Sequence, residues 1–356
     1  MSENNFQETF QNRAFKKFAE IFDKLGYSKK YPSKLAIAVS GGCDSLSLAI
    51  ILNEFCLEKN IKLFAVTVDH KMRQGSSKEA LALTKILQAK KISHHILEIN
   101  QQEIPKKNIE AELREVRYQM LHSFCVKNKI QFLFLGHQLD DVAENFLIRL
   151  FRGSGLDGLS SIAEILQLEK IQLIRPFLDF TKDDLKSFLQ SKKIKWFEDE
   201  TNQDEKFLRN KIRKFLSSFE DKNLLQKRIK NTADEMSKMR DSFDEEMLDK
   251  AKAVLGFKDN KFLLNLKKFN EIEEKIALKI LALIAIEISG RNYKPRLEKL
   301  KKFYNWILTD KNHKAHDFYG CVAKKFDATS LAIFNSSNAE LIKKQELRTI
   351  LKKLFK

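Results

Sequence analysis

Six residues near the N-terminus have types and spacing suited to chemistry. Ser40-Gly41-Gly42-Cys43-Asp44-Ser45 follows an apolar stretch and precedes a helical pattern. Two glycines let the backbone turn tightly and approach an anion closely. The freed amides of the turn and of the helix start point at phosphate oxygens. The hydroxyls of Ser40 and Ser45 add donors. Asp44 would repel phosphate unless a cation lay between them, so the loop implies Mg²⁺ beside a phosphorylated ligand. The segment is not a Walker A loop, because no G-x-x-x-x-G-K-[ST] occurs in the chain. A second group, Asp140, Asp141 and Glu144, places carboxylates at i, i+1 and i+4, neighbours on one helix. Arginine, the side chain suited to a planar, bidentate grip on phosphate, clusters in the same part of the chain. Arg114 and Arg117 share a helix face and suit ATP phosphate or RNA; Arg209 and Arg213, four apart, suit RNA phosphate.

These groups need a scaffold, and the hydrophobic pattern supplies one. Phe6 to Leu25 reads as a helix. Apolar strands at 35–40, 63–68, 94–99 and 132–135 then alternate with helices at 44–57, 76–91, 108–128 and 140–152. Alternation of this kind means βαβ units, so the expected fold class is α/β, a doubly wound and mostly parallel sheet covered on both faces. Ligands in such sheets bind beyond the carboxyl ends of the strands. Gly153, Gly155 and Gly158 mark a loop, 171–175 a last strand, Thr181 the N-cap of a helix over 182–192, and 206–217 a basic helix. The expected organisation is an N-terminal domain over 1–218 and a connecting helix over 219–254, ended by Gly256. A small α+β domain over 255–335 follows, with one strand at 262–266, helices at about 268–289 and 296–308, and a hairpin at 318–334. A basic helical tail covers 336–356.

Composition narrows the function classes. The formal charge is +17, from 65 basic and 48 acidic residues, which favours a polyanionic partner. The Lys-rich surface on its own also fits a neutral role, so the motifs decide. Four scattered cysteines form no C-x-x-C pair, which argues against zinc or cluster sites and suits a reducing compartment. No signal peptide and no apolar run long enough for a bilayer is present, so a cytoplasmic protein without a membrane partner is expected.

The 40–45 loop resembles the S-G-G-x-D-S signature of the PP-loop ATP pyrophosphatases. Further elements resemble the lysidine synthases within that superfamily: Asp69-His70-Lys71-Met72-Arg73; Asn108 and Glu110 with Arg114, Arg117 and Tyr118; His137 to Asn145; Arg152-Gly153-Ser154-Gly155 with Gly158; Arg175-Pro176-Phe177-Leu178; and Asp199 to Arg213. Gln138, Val142 and Asn145 stand where the family usually has His, Gln and Thr. The resemblance spans 40–213. It implies ATP and Mg²⁺, free L-lysine, an isoleucine tRNA with a CAU anticodon, and no protein partner. It also implies a two-step ligation of lysine to C2 of the wobble cytidine through an adenylated intermediate. Carried onto this chain, the catalytic residues are Asp44, Asp140, Asp141 and Glu144. The nucleotide-binding residues are Ser40, Gly41, Gly42, Cys43, Asp44, Ser45, His70, Arg73, Arg114, Gly136 and His137. Arg117, Arg152, Arg209 and Arg213 are expected on tRNA, and Asp44 and Asp140 on the metal. The rival readings are a PP-loop sulfurtransferase, an amidating ligase and a non-catalytic RNA-binding relic.

Overall fold

The computed structural model describes residues 3–69, 76–99, 109–198, 208–259, 261–291, 294–310 and 312–335. His70, Arg73, Asn108, the 199–207 part of the last motif and the basic tail lie outside the described residues. The chain packs as two compact units, 1–237 and 238–356.

In the first unit, helix α1 (Glu3–Lys24) leads into β1 (Lys34–Ala38), α2 (Cys43–Glu58), β2 (Lys62–Asp69), α3 (Ser76–Ala89) and β3 (Ser93–Glu98). Next come α4 (Ile109–Lys127), β4 (Phe132–Leu135), α5 (Leu139–Phe151), α6 (Leu156–Leu159), β5 (Ile165–Leu168) and β6 (Ile171–Ile174). Helices α7 (Lys182–Ser191), α8 (Leu208–Ser217) and α9 (Lys222–Val254) follow, and the division between units falls within α9. The sheet order is β3-β2-β1-β4-β6-β5, parallel except for β5 against β6. The mostly parallel α/β sheet is as expected, and the antiparallel edge strand β5 is an addition. Strand β1 lies between β2 and β4, so the chain winds away from it in both directions. The carboxyl ends of β1 and β4 therefore border the crevice where such folds bind ligands.

Burial explains the scaffold. Strands β1 and β4 are buried almost throughout, as a sheet covered on both faces requires. An aromatic cluster packs α1 against the sheet, with Phe10 stacked on Phe188 and Phe18 edge-on to Phe55 and Phe134. A network of Lys17, Glu164, Asp179 and Lys230 joins α1, the start of β5 and α9, at 2.5 Å for Lys17–Glu164 and 2.8 Å for Lys230–Asp179. Thr181 caps α7 as expected, its hydroxyl accepting from the Asp184 amide at 3.1 Å.

The second unit is richer in β structure than the sequence suggests. Strands β7 (Leu255–Lys258), β8 (Lys261–Asn265), β9 (His316–Phe318), β10 (Cys321–Lys325) and β11 (Ser330–Asn335) form one antiparallel sheet in the order β7-β8-β11-β10-β9. Gly256, expected to end the connecting helix, lies inside β7 and pairs with Leu263. The single helix expected over 268–289 is two, α10 (Leu266–Phe269), capped by the Asn265 side chain, and α11 (Glu274–Ser289). Helix α12 (Leu297–Thr309) completes the unit.

Candidate active site

The loop after β1 is held in shape from inside. Val39 extends the pairing of β1 by donating its amide to Val66, and Thr67 Oγ1 donates to the Val39 carbonyl at 2.7 Å. Ser45 Oγ accepts from the Ser40 amide and donates to the Gly42 carbonyl, at 3.1 and 3.2 Å. Its hydroxyl proton thus closes the loop, leaving ligand donation to the backbone and to Ser40, whose Oγ lies 3.1 Å from Ser45 Oγ. Gly42 caps α2 without any side-chain hydrogen bond, so the first amides of α2 keep their capacity to meet an anion. Gly41 sits at φ +85°, and a Cβ there would meet the Phe197 ring at 2.6 Å. Phe197, which sequence reasoning missed, donates its amide to the Gly41 carbonyl and roofs the loop.

Gly136 joins β4 to the same loop. A Cβ there would lie 2.9 Å from both Cα and N of Ser45, and backbone cannot swing aside as a side chain can. Gly136→Ala is therefore expected to push the loop off β4, weakening ATP binding at least tenfold and lowering the melting temperature by several degrees. Calorimetric titration with ATP and a thermal scan would check this; unchanged affinity would contradict it.

A cleft of about 180 Å³ opens beyond the carboxyl ends of β1 and β4, the place where such sheets bind ligands. Ser40, Gly42, Asp44 and Ser45 form one wall, and Arg114, Arg117 and Tyr118 of α4 face it. Gly136 and His137 close it. Arg175, buried beneath, donates Nε to His137 Nδ1 at 3.2 Å and Nη1 to the Ala163 carbonyl at 2.8 Å. Burial, then the charges of Arg175, Arg114, Arg117 and Arg209, pull the His137 pKa down to about 3. The imidazole is neutral, accepts at Nδ1 and carries its proton on Nε2. Burial pushes the Asp44 carboxyl up to about 6; Lys182 opposes this, and Asp141 and Asp140 add to it.

The carboxylate group lies on the first turns of α5. Gln138, in the place of the family's usual His, is the N-cap: its Oε1 accepts from the Asp140 amide at 2.7 Å. Asp141 Oδ2 accepts from the Gln138 amide at 3.1 Å. Glu144 is 2% exposed and takes Arg209 Nε on one oxygen at 2.5 Å and Arg213 Nε on the other at 2.6 Å. Arg209 Nη2 reaches Asp141 Oδ1 at 2.6 Å. Lys222, at the start of α9, donates to Asp140 Oδ2 at 2.8 Å. Arg209 and Arg213, expected on RNA phosphate, pair with the carboxylates and clamp α8 to α5 while keeping 39% and 36% exposure. Lys222 was not anticipated at all. Arg152 is exposed at the C-cap of α5, where Arg149 ties the following loop to the Gly158 carbonyl at 2.9 Å.

A family profile described as a PP-loop domain matches residues 8–219. A tRNA(Ile)-lysidine synthase of Wolbachia pipientis is 32% identical over 317 residues, covering 88% of this chain and 73% of that protein. The enzyme of the same description from Rickettsia typhi is 33% identical, covering 88% and 72%. The chain belongs to the tRNA(Ile)-lysidine synthase family. In fold it is similar to a U34-tRNA thiolase from Methanococcus maripaludis that carries a [4Fe-4S] cluster, with a TM-score of 0.55 at 22% identity over 65% of this chain and 80% of that one.

Family membership implies ATP use, and two atoms bear on a metal. Asp44 Oδ1 and Asp140 Oδ1 are buried without a hydrogen-bond partner. Buried carboxylate oxygens left unpartnered are costly, and hard oxygen donors of this kind are what Mg²⁺ takes. No cluster of three or more metal-ligating side chains occurs among the described residues. Two carboxylates completed by triphosphate oxygens and water is the usual Mg²⁺ arrangement, so the residues fit the ion.

The four cysteines are all buried. Burial, with Asp44 second, raises the Cys43 thiol to about 11, and burial takes Cys56, Cys125 and Cys321 to about 12. Thiols so far from ionisation are poor nucleophiles, which counts against the sulfurtransferase reading. No helix among the described residues is long and apolar enough to cross a membrane.

Half-buried neutral histidines set an acid limit. His94 bridges Thr67 and Thr84 at 2.8 Å each, and burial, then His95, lowers its pKa to about 4. Unfolded His titrates near 6.5. Below that pH the unfolded chain binds a proton that folded His94 and His137 refuse, so stability falls as pH drops from about 6.5 toward 4. Each contributes a slope approaching 1.4 kcal/mol per pH unit. Urea unfolding at pH 7 and pH 5 should show His94→Asn losing about 2 kcal/mol less than the parent. Equal losses would contradict this.

Proposed function

We infer that this protein ligates free lysine to C2 of the wobble cytidine of the CAU-anticodon isoleucine tRNA, spending ATP as AMP and pyrophosphate. The observation that carries the reading is a glycine-rich loop and a carboxylate cluster that follow the carboxyl ends of the adjacent strands β1 and β4, close enough that Asp140 and Asp141 perturb Asp44. In the first step the cytosine C2 oxygen attacks the α-phosphorus of ATP, and the bond to the bridging oxygen of pyrophosphate breaks. The uncapped amides of α2 and the loop lie where the leaving charge grows. Arg114 and Arg117 serve the same charge from across the cleft. Asp44 and Asp140 would hold Mg²⁺, which supplies neutralisation of the polyphosphate.

In the second step the lysine ε-amine attacks C2 and AMP leaves with the oxygen. Free lysine is mostly an ammonium at pH 7, so a carboxylate of the α5 trio takes its proton. Glu144 Oε1 and Oε2 are both engaged by arginine, which leaves the Asp140 side of the cluster to meet the ammonium first. Lys222 holds that position with its own ammonium. Lys222→Met is expected to lower KM for lysine two- to fivefold, the scale of a partly exposed ion pair. Steady-state kinetics at saturating tRNA and ATP would check it, and a raised KM would count against it.

The deciding experiment measures pyrophosphate release with Mg²⁺ and ATP in the presence of CAU-anticodon isoleucine tRNA, with and without radiolabelled lysine. Label retained in that RNA, and absent from a methionine tRNA, supports the reading. Pyrophosphate released without lysine incorporation would move the assignment to another PP-loop transfer.

A further inference from the structure

Helix α8 has a face that the ion-pair cluster does not use. Arg209 and Arg213 turn onto Asp141 and Glu144, and Ile212 and Leu216 pack with Ala143 and Leu147 of α5. Positions 208, 211 and 215, three or four apart, form the adjacent stripe, and position 219, just past the end of the helix, extends it. They are Leu208, Lys211, Phe215 and Phe219, and the three apolar side chains are 38%, 47% and 43% exposed. The two phenylalanine rings pack edge to face, with centroids 5.1 Å apart. Contiguous exposed apolar surface rimmed by polar residues is the kind that binds a partner, and the touching rings make this surface contiguous.

We propose that this stripe is a stacking ledge for unpaired nucleotides flanking the base that reacts. The RNA identity rests on the function inferred above; the ledge itself rests on the face. An aromatic ring accepts any base on its π-face, and a neighbouring lysine neutralises the phosphate that links one base to the next. Lys211 lies between Leu208 and Phe215 on the stripe, and the chain carries a net +17. The ledge is also fixed relative to the chemistry. Three arginine–carboxylate bonds and an apolar seam lock α8 to α5, so a base seated on Phe215 stands at a set offset from Asp140, Asp141 and Glu144. Duplex RNA, whose bases are already stacked, gains nothing from such a surface.

The test uses the full chain and two fluorescent RNAs, a stem-loop whose unpaired loop carries CAU and a fully paired duplex of equal length. Phe215→Ala/Phe219→Ala is expected to weaken stem-loop binding about tenfold and to leave duplex and ATP binding unchanged. Phe215→Tyr/Phe219→Tyr keeps the rings and the affinity. Lys211→Ala lowers the salt dependence of stem-loop binding by about one ion. Unchanged stem-loop affinity in the double alanine variant would overturn the proposal, as would equal losses for both RNAs. A parent chain that sediments as a dimer and a double alanine variant that sediments as a monomer would overturn it too, assigning the face to a second copy. Binding is read without turnover, so failure of lysine ligation would sink the inferred function and leave the ledge standing.

Discussion

Replacing Glu144 by Gln is expected to lower lysine incorporation by about 10²-fold, the scale of a small misplacement of the neighbouring carboxylates, and to destabilise the first unit as well. Both effects follow from one side chain. Glu144 is 2% exposed and gives one oxygen to each of two arginines. An amide keeps one acceptor and turns an NH₂ toward the other guanidinium, setting donor against donor. Breaking a buried ion pair costs about 3–5 kcal/mol; here Arg209 and Arg213 keep 39% and 36% exposure and recover solvent, so the low end applies. The two effects separate by temperature. A thermal scan reads the loosened clamp, and single-turnover lysine transfer well below the melting point reads the chemistry. Transfer at the parental rate in the folded variant would make Glu144 a clamp for α8 and nothing more.

That double duty explains what the sequence could and could not convey. The loop at 40–45 was legible because its demands are local: two glycines, a strand before and a helix after. The α5 carboxylates were legible for the same reason, since i, i+1 and i+4 is a spacing within one helix. Their partners were not. Arg209, Arg213 and Lys222 reach Glu144, Asp141 and Asp140 across 65 to 82 residues of chain, and a basic helix facing acids reads the same as one facing RNA. Phe197 escaped for a related reason, and Gly136, expected only as a nucleotide-binding residue, has a packing role that was equally hidden. Their work is steric contact with Gly41 and Ser45, which no periodicity records. In the second unit, Leu255–Lys258 continues directly from α9. Its strand character comes from pairing with Lys261–Leu264, so the helical pattern before it ran on into Gly256.

Replacing Asp44 by Asn should separate stability from activity in opposite directions. Asp44 is mostly buried, Oδ1 has no hydrogen-bond partner, and two further carboxylates lie close enough to disfavour its charge. A lone buried carboxylate is a cost to the folded state, and Asn keeps the shape while removing the charge. In metal-free buffer the variant is therefore expected to melt at or above the parental temperature. Pyrophosphate release should nevertheless fall at least 10²-fold, because the group best placed to bring a cation to the loop has lost its charge. Ligand stabilisation supplies the readout that activity cannot. Mg²⁺ and ATP together should raise the parental melting point, as any ligand bound only by the folded state must, and the variant's by much less. A variant that melts lower without metal would mean that Asp44 holds the loop rather than a ligand. A variant that gains as much from Mg²⁺ and ATP as the parent would take the ion away from Asp44, and leave Asp140 as the carboxylate to test next.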